Sequence, residues 1–302
     1  MKGIAPFVLA TALAAGSNFV SASSNHPVGN SRLVLNEKLV TSTVPLIEHS
    51  PKQRPTCSLT EVSIASSRGG QSVVGSLQLT TKNAVLSGMV LAFNSGYVNG
   101  ACLSGVLHST NMKQVSAAVT GAWTNSALGF ASGDLVQFFF NAKCILSYIT
   151  GSTIAGFLNP NPVPFSISRW NVSPSFLVGA ALLYWSSRIA GKARPFDNSS
   201  FIYLATVANG IQNSITSTTT CNLVRSTHFT GITSDMGTFL GQLLRGNSQN
   251  LMKLKVFAAL VASFWVGGAV SYVATKELAS SSLMFSAGLY ALIGIGIGFS
   301  WF

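Results

Sequence analysis

Charge is what this chain has least of. Only 8% of its 302 residues are Asp, Glu, Lys or Arg, and just seven are acidic. Soluble domains carry about 25% charged residues. A chain this long with so few charges cannot cover itself with a water-facing surface, and composition leaves a polytopic membrane protein as the class. Cysteine is scarce too, and Cys57, Cys102, Cys144 and Cys221 form no CxxC or other metal spacing. Catalytic signatures are missing. There is no nucleophile elbow and no HExxH, and His108 and His228 are not spaced as a metal pair. Serine is so abundant that a chance Ser–His–Asp grouping carries no weight. Neither an enzyme nor a cofactor is expected.

The charge that is present is mostly basic, with a formal net charge of +11. On a soluble chain that would raise nucleic acid as a partner. Here Arg188, Lys192, Arg194, Arg245, Lys253 and Lys255 lie between apolar runs or at their ends. That distribution suits loops facing anionic headgroups. No basic stripe with interleaved aromatics occurs, so the lipid bilayer, and not nucleic acid, is the expected partner.

Residues 1–22 read as a signal or targeting peptide. Lys2 supplies the positive end, residues 4–15 are apolar, and Val20-Ser21-Ala22 offers small residues for cleavage. Residues 23–82 read as a disordered tail, rich in Ser and Thr and broken by Pro27, Pro45, Pro51 and Pro55. This grammar points to the secretory pathway or plasma membrane. A plastid transit region is the alternative, weakened by Glu37, Glu48 and Glu61.

Residues 83–302 read as an all-α multipass membrane domain. Six runs, 84–107, 135–158, 175–190, 201–217, 256–273 and 283–302, are expected to span. Two weaker segments, 115–132 and 228–244, are studded with Ser, Thr, Asn, Asp and Gly and either span or re-enter. The runs fall into two pseudo-symmetric repeats, about 83–190 and 200–302. The first contains Gly96-Tyr97-Val98-Asn99, then Thr120-Gly121 and Thr124-Asn125. The second contains Gly210-Ile211-Gln212-Asn213, then Thr230-Gly231 and Ser234-Asp235. A fixed order of small and polar residues in two halves of an apolar chain indicates internal duplication. Eight spans would make the halves parallel, and six would invert them. Basic residues divide more cleanly with eight, which asks for a cytoplasmic N-terminal flank, whereas a cleaved signal asks for the opposite.

Over residues 80 to 302 these motifs resemble the family named after the bacterial YoaK protein, also called DUF1275. The resemblance implies a multipass membrane protein with about six spans. It carries no agreed catalytic residues. The copies differ in that only the second has an acid, Asp235, where the first has Asn125.

An ionisable residue inside a span is a functional candidate by default, so Asp235 is singled out to bind a cation or carry a proton. The alternative is a solvated or capping role in a re-entrant segment. Asn99, Thr120, Asn125, Asn213 and Thr230 complete the expected substrate-binding set, at a repeat interface where broken helices expose dipoles and carbonyls. Ordinary interhelical hydrogen bonding is the plainer account of each taken singly. The functional expectation is a transporter or permease of a small polar solute, possible also as a homo-oligomer. The alternative is a structural or accessory membrane protein.

Overall fold

The structure is a computed structural model that describes residues 76–107, 114–192 and 199–299. The expected targeting peptide and residues 23–75 of the expected tail lie outside the described residues. All described residues belong to one compact unit, Thr56–Phe302.

The order is β1 (Ser76–Gln78), α1 (Thr81–Leu103), α2 (Thr120–Ser132), α3 (Leu135–Leu158), β2 (Ser166–Ser168), α4 (Arg169–Lys192), α5 (Ser200–Thr219), α6 (Phe229–Leu244), α7 (Leu251–Leu278) and α8 (Ser282–Phe299). A short 3-10 turn, Ala279–Ser281, joins the last two. Among the described residues the fold is all-α apart from two three-residue strands. Those strands fall where the sequence leads one to expect tail and loop.

Local chemistry explains the boundaries. Thr80 caps α1 by accepting the Asn83 N–H at 3.2 Å, and Asp134 caps α3 by accepting the Gln137 N–H at 3.0 Å. Between them Gly133 ends α2 in the left-handed region, at φ 75°, which glycine enters without steric cost. The α2–α3 hairpin is thus written in Gly133-Asp134. Helix α4 starts earlier than its apolar run suggests and carries Pro174 inside it.

Helix directions follow from the contacts. α1 and α7 run parallel: Gly96 sits at the Phe264 carbonyl, and Gly100 at Gly268 and Ser271. α3 and α5 also run parallel, with Phe140 on Tyr203 and the Tyr148 carbonyl on Gly210. α4 and α8 are antiparallel. Ser173 Oγ donates to the Gly294 carbonyl at 2.6 Å, and Ser187 Oγ to the Ser280 carbonyl at 2.7 Å.

The strand pair ties distant parts of the chain to one end of the bundle. β1 pairs antiparallel with β2, Leu77 opposite Ile167. The Leu79 N–H then donates to the Phe165 carbonyl, and the Phe165 N–H to the Thr219 carbonyl, both at 2.7 Å. So the start of α1, the end of α3 and the end of α5 share one end.

One stretch among the described residues is long and apolar enough to cross a membrane by length and composition, Leu251–Phe299, which takes in α7 and α8. In two of the other long helices, α1 and α5, polar residues visibly lower the apolar character. Asn94, Ser95 and Asn99 interrupt α1, and Asn209, Gln212, Asn213 and Thr216 interrupt α5.

Candidate functional site

Polar side chains are gathered where α1 passes α5. Asn94, Ser95, Asn209 and Gln212 are all at most 1% exposed. Gln212 is the hub. Its Nε2 donates to the Leu91 carbonyl at 2.8 Å and to Ser95 Oγ at 2.7 Å. The Tyr290 hydroxyl, from α8, donates to Gln212 Oε1. A further α8–α1 bond runs from the Tyr97 hydroxyl to the Ser282 carbonyl at 3.1 Å.

Irregular backbone fills the same region from two sides. The segment leading into α2 lies on α1, and Asn99 Oδ1 accepts the Ala117 N–H at 3.2 Å. Beside it, Asn209 Nδ2 donates to Ser116 Oγ at 2.9 Å, and the Cys102 thiol lies against Ser116. The segment leading into α6 does the same on α5. Thr216 Oγ1 and Ser226 Oγ are 3.3 Å apart, and the Tyr148 hydroxyl bonds Thr227 Oγ1 at 2.8 Å. Asn213 lies beside that Tyr148 hydroxyl. Buried backbone without secondary structure must find partners, and serine, threonine and asparagine supply them here.

Several polar atoms in this seam are left over. Both amide atoms of Asn94, Oδ1 of Asn209 and of Asn213, and Ser286 Oγ have no hydrogen-bond partner among the described residues. Native cores contain few such groups, and each calls for an explanation. No charged side chain is buried among the described residues. The buried polar set consists of Ser, Thr, Asn and Gln.

Glycines make the approach of the helices possible. A Cβ at Gly96 would strike the Phe264 carbonyl, and one at Gly267 the Phe93 carbonyl. On the other side a Cβ at Gly210 would strike the Tyr148 carbonyl, and one at Gly151 the Val207 carbonyl. Each glycine follows, by three residues along its own helix, the residue whose carbonyl its partner meets.

A family model described as "Protein of unknown function (DUF1275)" matches residues 87–296. The chain belongs to the DUF1275 family. No curated protein and no solved structure matches it. The DUF1275 match runs from the second turn of α1 to the last turn of α8, and so contains the whole seam.

The residues expected from sequence divide into two groups. Asn99 and Asn213 lie in the seam of this DUF1275 protein, and Asn125 is half-buried on α2. Thr120, Thr230 and Asp235 are exposed, on α2 and α6, and do not reach it. Sequence reasoning missed Asn94, Gln212, Ser286 and Tyr290. In the expected repeat alignment Asn94 stands opposite Ala208 and Gln212 opposite Val98, so a search for repeated polar residues passes over them. A polar residue inside an apolar run was the signal available for each.

Proposed function

We propose that this DUF1275 protein is a six-span membrane transporter or permease that carries a small polar solute along the seam between α1 and α5. One observation carries the reading. The molecule exposes large apolar side chains and buries a polar seam within an otherwise apolar core. Trp123, Phe130, Phe157, Trp185, Trp265 and Leu292 are each more than half exposed, while Asn94, Ser95, Gln212 and Ser286 are fully buried. Large exposed apolar patches mark an interaction surface, and lipid is the partner that matches one around a whole helical bundle.

The same contacts support two inverted halves, α1–α4 and α5–α8. The α1–α7 and α3–α5 crossings use the same glycine arrangement with the halves exchanged. The central helices of the pair, α4 and α8, are antiparallel. An exchange of antiparallel equivalents has its axis in the membrane plane. Helix length agrees. α2 has 13 residues and α6 has 16, or about 20 and 24 Å at 1.5 Å per residue, short of a hydrocarbon core of about 30 Å. They act as re-entrant pieces, and their lead-in coils are irregular backbone of the kind tolerated at membrane depth where it lines a protein interior.

Reconstitution tests the reading. Full-length protein in liposomes should admit at least one small polar solute, from a panel of neutral and charged members, faster than protein-free vesicles do. Asn99→Ala and Asn213→Ala proteins that remain folded should lose that entry. A structural or accessory protein would admit none, and that outcome would end the transport reading.

A further inference from the structure

We propose that the solute held at this seam is uncharged, a small molecule of the amide or polyol class that both donates and accepts hydrogen bonds, and that Asn94 and Ser286 hold it. The proposal rests on the transport reading and specifies its cargo. Asn94 and Ser286 are fully buried, Ser286 Oγ has no partner among the described residues, and the Asn94 amide makes no well-formed hydrogen bond there but lies against the Tyr290 hydroxyl. The register brings them to one level. Ser286 stands one turn from Ser282, which accepts from Tyr97, and one turn from Tyr290, which donates to Gln212. Asn94 stands one turn from Tyr97 and one turn from Leu91, whose carbonyl accepts from Gln212. The same two cross-links therefore bracket both residues.

The chemistry of the unmatched groups defines the ligand. A primary amide offers two donors and two acceptor lone pairs, and a hydroxyl offers one donor and acceptors. Gln212 and Tyr290 are already bound to each other and to Ser95 and Leu91, so they form a fixed wall. A cation filter is built from converging acceptors. Here the nearby carbonyls of Leu91 and Ser282 are engaged, and Asn94 presents donors as well. No buried charge is present to offset an ion, and bringing an unpaired charge out of water costs far more than burying a neutral group that finds hydrogen bonds.

The test uses full-length protein in liposomes and solutes matched in shape: urea against guanidinium, and glycerol against glycerate. Entry is followed by stopped-flow light scattering. At least one neutral member should enter about tenfold faster than through protein-free vesicles, a change equivalent to 1.36 kcal/mol in barrier, while its charged partner does not. Asn94→Leu and Ser286→Ala should each slow neutral entry severalfold, and Ser286→Ala should do so with a thermal midpoint at or above that of the unaltered protein, because it removes no hydrogen bond. A merely structural role would not separate the two readouts in that way. Should Asn94→Leu fail to fold, Ser286→Ala, which loses a single oxygen, decides alone. Entry of the charged members in place of the neutral ones would sink the uncharged cargo and leave transport standing. Full neutral entry in both folded variants would refute the assigned residues. Failure of all four solutes to enter would overturn the transport reading itself, and this proposal with it.

Discussion

Gly96 and Gly267 face each other's helices across the α1–α7 crossing. A methyl group on Gly96 would meet the Phe264 carbonyl oxygen, and one on Gly267 the Phe93 carbonyl oxygen. Gly210 and Gly151 stand in the same relation on α5 and α3, with Tyr148 and Val207. The obstacle in each case is backbone, which cannot rotate away as a side chain can. Gly96→Ala and Gly210→Ala are therefore expected to destabilise the protein by about 1–3 kcal/mol, the usual cost of overpacking. Gly237, on α6, has open space where its Cβ would stand. Gly237→Ala should instead stabilise by about 0.5–1 kcal/mol through helix propensity. Thermal unfolding in detergent measures all three, and Gly96→Ala melting at or above the unaltered protein would contradict this packing.

Gln212 and Tyr290 are expected to be energetically coupled. Tyr290 donates to an amide oxygen whose own nitrogen is held by Leu91 and Ser95. Removing either partner leaves the other buried and incomplete. A double-mutant cycle on Gln212→Leu and Tyr290→Phe should give a coupling between about 0.6 and 1.7 kcal/mol, the mean and the maximum measured for hydrogen bonds between helices in membranes. Additive single changes would mean that the hydrogen bond contributes nothing measurable.

Asp235→Asn is expected to leave solute entry unchanged and stability within about 0.5 kcal/mol, as for other surface substitutions. The carboxylate is exposed on α6, away from the seam. A large loss of entry in reconstituted vesicles would restore Asp235 to the transport path and revise the site drawn here.

Much of the helical layout was legible in the sequence, because apolar runs are a local signal. The expected run 135–158 coincides with α3, and 228–244 lies within one residue of α6. The Gly96/Gly210 and Asn99/Asn213 matches were also readable, as a glycine followed three residues later by an asparagine in each stretch. Orientation was not. Whether residues 160–168 share an end with the N-terminal flank depends on Leu77 meeting Ile167, ninety positions away, and no local pattern encodes that pairing. The site was half legible for a related reason. Asn99 and Asn213 stand at matching positions of the expected repeat, whereas Asn94 and Gln212 stand opposite Ala208 and Val98. Asp235 drew attention because charge inside an apolar run is rare, but rarity does not say which face of α6 carries it.

Topology is the measurement that bears most directly on the inverted architecture. Single cysteines are introduced on a background without native ones at Gln78, at Pro162 in the loop after α3, and at Gly133 in the α2–α3 turn. Each is labelled with a membrane-impermeant thiol reagent in sealed vesicles. The β1–β2 pairing requires Gln78 and Pro162 to be labelled from the same side and Gly133 from the opposite side. Labelling of Gln78 and Pro162 from opposite sides would mean that α2 crosses the membrane, making the halves parallel and contradicting the account.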